Sequence, residues 1–459
     1  KRFEYYQNLR AEVADWASAL RYLSDKMGVI EDALEELYRD IGSKRMDRTM
    51  EWQDDNANVL KEHDYLDYVV GRQPIAISSS KHAAADELVV DEFGRDVRSM
   101  ASMSSNKRRM ERKRRRAESR ARFLPVAEET ASANKYLVDV DSDADVSDNE
   151  ILDREERRCA LGDAVQVVLD EMDENFSSIA SLLTLFQDWK DSYADDYKQC
   201  YANMALVEFI SVFAKAESCK HLDLHGCLDR GAIQRLDKFA WFGQCQLSNL
   251  LAESEVNSLA QTVYDHACRF IIDTTTNGTI WPYDPYSKKQ SNTMSSFFDS
   301  ILKLSSSIDE KSEIHDRILH YINNYVQKMA IIVVKKEVPL DIDSEDDEKL
   351  SDAVLFATIG QLQSLGKLVK NLTTYWYPTF DKSSKVAKFC LVDVMTYRFL
   401  PIFSALTFPS DNEIASQAKD VFISIWNLMK DMTWFDSDDL MLQSSPMRAA
   451  AVQIGIEHK

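Results

Sequence analysis

The sequence predicts an all-α protein: an N-terminal docking or coiled-coil helix, a charged linker carrying a basic helix, then a large irregular helical stack. Three observations carry this. Apolar residues recur at spacings of three and four along most of the chain, the period of one helix face. Gly and Pro are scarce, 12 and 9 among 459 residues, which leaves few of the turns that a sheet-rich fold needs. The expected breaks are isolated: Asn277-Gly278, Trp281–Pro285, Pro339 with the acidic run Asp341–Glu348, Pro378, Pro401 and Pro409. No strict repeat period is visible, so the stack reads as irregular rather than as a solenoid.

Residues 1–50 read as docking helices. Tyr6, Leu9, Val13, Trp16, Leu20 and Leu23 form one seam. A second, Ile30, Leu34, Leu37, Tyr38 and Ile41, follows Gly28. A stripe this narrow suits a coiled coil or a partner's groove, and equally a surface helix packed on its own domain. Residues 51–159 read as a largely extended, charged linker. Within it lie a basic helix, 107–122, and an acidic run, 139–156, that holds Ser142 and Ser147. Residues 160–459 read as the helical domain. Its entry is Val168–Ala205, where Phe176, Ile179, Leu182, Leu183, Phe186 and Trp189 fall on one face, capped by Asp173 or Asn175 and ended at Asp191–Ser192. The helices expected after it include Ala194–Ala216, Lys311–Val334, Lys349–Tyr375, Lys385–Phe403 and Leu440–Gln453.

The charge balance restricts function. A formal net charge of −21 means that contact with nucleic acid must come from a local patch. The patch is Lys107, Arg108, Arg109, Arg112, Lys113, Arg114, Arg115 and Arg116, which suits RNA, an acidic partner or nuclear import. It also suits a solvated helix held by pairs such as Glu111–Arg115. Seven scattered cysteines fit reduced thiols. No unbroken apolar run approaches the ~20 residues of a membrane span. Phosphate-binding Gly loops, Cys-x-x-Cys, His-Glu-x-x-His and Gly-x-Ser-x-Gly are absent from the sequence, so neither enzyme activity nor a cofactor is expected. Cys219, His221, His225 and Cys227 invite a zinc reading. Cys219 and His221 would leave opposite faces of a helix and Gly226 interrupts it, so they read as loop residues, and no metal site is assigned.

The motifs also have an order. A Tyr-rich N-terminal helix (Tyr5–Arg45) is followed by Phe93-Gly94-Arg95-Asp96, then by the Arg-rich helix and the Ser/Asp run Asp141–Glu150. After these come DENFSSIASLLTLFQDW (Asp173–Trp189), Trp241-Phe242 and WPYDPYS (Trp281–Ser287). In this order the chain resembles the GC-rich sequence DNA-binding factor family, in its PAX-binding protein branch. The family's Cys-Leu-Pro-Lys-Leu stretch is replaced by ANMALVEFI, Ala202–Ile210. The resemblance implies a nuclear protein without enzymatic activity. It would pair with a G-patch protein, the tuftelin-interacting protein, and through it with a DEAH-box helicase that disassembles the intron-lariat spliceosome. Other spliceosomal proteins and snRNA or intron RNA would lie nearby, and no membrane is implied. The alternative is a DNA-binding or adaptor regulator that links transcription factors to chromatin modifiers. For direct DNA reading the sequence shows no zinc finger, no zipper heptads after the basic run and no clear helix-turn-helix. Phe176, Phe186, Trp189, Trp241, Phe242, Trp281, Asp284 and Pro285 are the residues expected to bind a partner or to fill the domain core.

Overall fold

The computed structural model describes residues 1–62, 66–70, 107–108, 110–112, 114–115, 146–221, 239–248, 250–260, 262, 283–302, 308–335, 359–407 and 413–456. The fold is all-α apart from one two-stranded sheet among the described residues. The chain forms two compact units that do not follow chain order. Unit 1 takes Lys1–Ser43, Ser147–Tyr283 and Asn292–Ile318; unit 2 takes Lys44–Val146, Asp284–Ser291 and Leu319–Lys459.

Helix α1 runs unbroken over Arg2–Glu62, where the sequence pattern reads as two seams parted at Gly28. The reason is visible in the spacing. Trp16, Leu20, Leu23, Met27, Ile30, Leu34, Leu37 and Ile41 are all buried and alternate by four and three, so the seam carries straight past the glycine. The cost of a helical Gly, about 1 kcal/mol, is small beside that continuous burial. Residues 51–62, read as linker, are the last turns of this helix.

In unit 1, α2 (Asp148–Glu171) starts at Ser147, whose Oγ accepts from the Glu150 N–H at 3.3 Å. The C-terminal half of the acidic run is therefore helical. Helix α3 (Ile179–Ser192) buries Ile179, Leu182, Leu183 and Phe186. It is capped by Ser178 and not by Asp173 or Asn175; Asp173 instead accepts from the Asn175 N–H in a turn just before the helix. The expected helix Ala194–Ala216 is two, α4 (Ala194–Gln199) and α5 (Ala202–His221). They part at Tyr201, which takes the left-handed conformation (φ 52°) that an L-residue cannot hold inside a helix. Short α6 (Ala240–Leu247) and α7 (253–260) complete the described part of this stretch.

Helices α8 (Lys288–Leu302) and α9 (Ile308–Lys328) follow. The expected helix to Val334 stops at Lys328. Four β-branched residues, Ile331–Val334, form β2 instead, antiparallel to β1 (Leu66–Val70) with Val69 opposite Ile332. In unit 2 this ribbon packs Ile332 and Val334 on Leu60. Helix α10 (359–371) continues through a π-helical turn, Leu372–Trp376, and ends just past Pro378. Helix α11 opens at Ser384–Lys388, widens to a π-helix over Phe389–Phe399 and returns to α over Leu400–Thr407. Pro401, expected as a break, is accommodated. It follows directly on the change of register, where Leu400 N–H still bonds to Met395 O, so the N–H that proline lacks is missing where the ladder is already shifting.

Helices α12 (Glu413–Asp431) and α13 (Met441–Gln453) close unit 2. A Cβ on Gly366 would come within 3.3 Å of Ile425 Cδ1, so glycine there lets α10 approach α12. The stretch Ser384–Leu406, 23 residues, is long and apolar enough to cross a membrane, contrary to the expectation from unbroken runs. Asp393 and Arg398 interrupt it, which is why such a count misses it. Phe403 stacks on Phe399 and on Phe422 of α12 in the interior of unit 2, the packing of a core helix.

Candidate functional site

Three features gather the candidate residues. The first is an aromatic seam in unit 1. Trp16 of α1 meets Phe176 edge-on at 5.0 Å and Phe213 of α5 at 6.3 Å. Phe186 packs on Trp189, Tyr197 and Phe209. Tyr5 and Tyr6 pack on Tyr193, and Arg2 lies over the Tyr6 and Tyr193 rings while pairing with Asp196. The Tyr6 hydroxyl also donates to Asp196, and these two donors hold the carboxyl below its ordinary range. The seam, read as meeting a partner or packing on its own domain, is buried here against unit 1's own helices. Trp189 remains half-buried. Trp241 and Phe242 are core: Trp241 is fully buried, and Glu217 accepts from the Ala240 and Trp241 N–H groups at 2.7 and 3.1 Å, capping α6.

The second is the basic segment, in unit 2. Its described residues are helical. Arg108 Nη2 donates to Asp55 Oδ1 at 2.6 Å, and Arg112 pairs with Asp55 Oδ2. Asp55 is only 2% exposed, so this is a buried anchor. Arg114 and Arg115 donate to Glu111 at 2.6 and 3.0 Å, which pulls its carboxyl down to about 2. Lys107 and Arg114 are exposed. Arg109, Lys113 and Arg116 lie outside the described residues, as do Trp281, His225 and Cys227. Cys219 and His221, read as loop residues, fall instead in the last turn of α5.

The third is a polar turn and the cleft beside it, also in unit 2. Asp284 is buried; its Oδ1 accepts from the Tyr286 N–H at 2.9 Å, and its own N–H donates to Gln290 Oε1 at 2.8 Å. Asn371 of α10 donates to the carbonyls of Pro285 and Tyr286 at 3.0 and 3.1 Å. The Asp-Pro-Tyr-Ser motif is therefore a fully hydrogen-bonded turn that starts α8. Next to it, Arg48, Thr49, Trp52, Gln53, Asp284, Tyr286, Tyr325, Met329, Ala330, Ile331, Gln361, Ser364, Leu365 and Arg398 line a cleft of about 60 Å³. Gln53 exchanges hydrogen bonds with both backbone groups of Ala330, at 3.0 and 3.3 Å. Arg398 donates to Met329 O at 2.9 Å and to Gln327 Oε1 at 3.0 Å. Burial pushes the Tyr286 and Tyr325 phenols up and the Arg398 guanidinium down.

Asp55, Arg48, Gln53, Gln361 and Arg398 went unmarked in the sequence reading. A signal existed for one: Arg398 is a lone arginine in the apolar run Phe389–Phe403, and a charge there must be buried with partners.

These features define an all-α protein built from an aromatic-seamed unit and a unit with a polar interior. No family model matches the chain. It is distantly homologous to PAX3- and PAX7-binding protein 1 of Homo sapiens, 24% identical over 209 residues, 45% of this chain and 20% of that protein. To PAX3- and PAX7-binding protein 1 of Mus musculus it is 22% identical over 298 residues, 64% of this chain and 29% of that protein. The chain thus spans less than a third of the length of these relatives.

Proposed function

We propose that this chain is a non-enzymatic nuclear scaffold that acts with a G-patch protein and a DEAH-box helicase in disassembly of the intron-lariat spliceosome. The observation that carries the scaffold reading is the likeness to PAX3- and PAX7-binding protein 1 over 64% of the chain, a protein named for what it binds. The splicing assignment rests on the order of motifs from the N-terminal helix to WPYDPYS. The basic segment supports it: Lys107 is exposed to solvent, as is Arg114 beside its partner Glu111, on a chain that is otherwise strongly acidic, which suits contact with RNA or an acidic partner.

A second reading, an adaptor between transcription factors and chromatin modifiers, is favoured by the relatives' name, which records binding to PAX3 and PAX7. One experiment separates the two. The tagged full-length protein is purified from nuclear extract, and its companions are identified by mass spectrometry and RNA sequencing. Excised lariat introns with a G-patch protein and a DEAH-box helicase are the expected result. Chromatin and methyltransferase subunits without intron RNA would replace the first reading by the second. Recovery of neither set would sink both.

A further inference from the structure

The cleft in unit 2 holds a buried donor that none of its neighbours satisfies. Gln361 is 7% exposed; its Oε1 accepts from the Ile332 N–H at 3.1 Å, while its Nε2 has no hydrogen-bond partner. A buried donor without an acceptor is uncommon in a folded protein and points to a missing group. Around it stand two guanidinium groups, Arg48 from α1 and Arg398 from α11. The phenols of Tyr286 and Tyr325 stay protonated and able to donate. Against these the lining sets one carboxylate, Asp284, which accepts from the Tyr286 N–H. The lining itself thus carries two guanidinium groups to one carboxylate, in a chain of net charge −21. Trp52, Met329 and Leu365 give the cleft an apolar side, which suits methylene groups. Its size excludes a nucleotide. At about 10–15 Å³ for each water-sized group, it has room for about four to six, the size of a glutamate side chain.

We propose that this cleft binds a carboxylate, presented by an acidic side chain on a segment of a partner protein. The carboxylate would accept from Gln361 Nε2 and pair with Arg48 and Arg398, with its methylenes against Trp52 and Met329. Charge-assisted hydrogen bonds of this kind are the strong ones, and a planar guanidinium matches the carboxylate geometry. The chemistry of the pocket stands on its own residues; only the source, a partner protein, rests on the scaffold reading above.

The test uses the full chain labelled at methionine methyls. The Met329 signal is assigned by Met329→Leu and followed by NMR during titration with N-acetyl-glutamate methylamide, its glutamine isostere and propionate. The expected result is a saturable Met329 shift with the glutamate compound and at least tenfold weaker binding of the glutamine compound. Arg48→Gln, at a half-buried position, should weaken glutamate binding at least tenfold. Gln361→Glu keeps an oxygen for the Ile332 N–H while replacing the free donor by a charge, and should do the same; the other methionine signals report that each variant is folded. Equal binding of glutamine, no effect of either variant, or no shift at all would overturn the pocket. Propionate binding as tightly as the glutamate compound would assign the pocket to free small carboxylates and overturn the partner source. The scaffold reading fails separately, through an empty affinity purification.

Discussion

The two units bury different chemistry. Unit 1 is closed by aromatic and aliphatic seams, and the buried polar side chains of its described residues are few: Arg154, Thr293 and Ser295. Unit 2 buries Arg45, Gln53, Asp55, Asn56, Asp284, Gln361, Asn371 and Arg398 among others. An apolar interior depends on volume, so damage scales with the atoms removed and a similar shape repairs it. A polar interior depends on pairing, so losing one partner leaves the other stranded, and shape alone repairs nothing. The difference also locates function. Groups held in place by pairing can present charge to a ligand, which a seam of rings cannot do.

The largest losses are expected in both units, with different rescues. Phe186→Ala in unit 1 should cost about 3–5 kcal/mol in urea unfolding, and Phe186→Leu much less, because only volume is at stake. Asp55→Ala in unit 2 should cost a similar ~3–5 kcal/mol, because it leaves the Arg112 guanidinium buried without its counter-charge. Here the near-isosteric Asp55→Asn should rescue little. The triple change of Asp55, Arg108 and Arg112 to apolar residues should restore most of the loss. If Asn rescues as well as the triple change, the contrast between the units is wrong.

Smaller effects refine it. Asn371→Leu preserves volume but strands the Pro285 and Tyr286 carbonyls, and should cost about 1–3 kcal/mol. A null result by calorimetry would mean that the turn before α8 holds without it. Ser178→Ala removes the cap of α3 and should cost about 1 kcal/mol, detectable as a lowered Tm. The smallest is a pH effect in unit 1. Tyr6 and Arg2 depress the folded pKa of Asp196, so their contribution is complete above the ordinary carboxylate value of 3.8 and is lost as pH falls through the lower folded value. Amide exchange of residues 2–6 should therefore be flat from pH 7 to about 5 after correction for intrinsic rates, and protection should fall only in stronger acid. Loss of protection already between pH 7 and 5 would assign the contact to another group.

Much of the architecture was legible before any coordinates. The α1 seam, the face Ile179–Phe186, the stop at Ser192 and the helix ending at Gln453 all follow from apolar spacing and local polar breaks. These are local properties: a helix closes its hydrogen bonds within four residues, so its signal lies within one window of sequence. Two of the places where the reading went astray are also local, at Tyr201 and across Phe389–Phe399, where backbone registers without a composition signal take over.

What the sequence by itself determined is the fold class, the acidic character and the buried helix faces. Tertiary structure alone decided how those residues are used. Ile331–Val334 become a strand because Leu66–Val70 pairs with them. Arg112 turns inward, and the exposed Arg108 reaches in, because Asp55, more than fifty residues earlier, is buried where they can reach it. Gln53 closes on Ala330 across 277 residues. Nothing in a local window marks such partners, since a charge or an amide has the same composition whether it meets water or a buried mate; only the folded chain brings the two together.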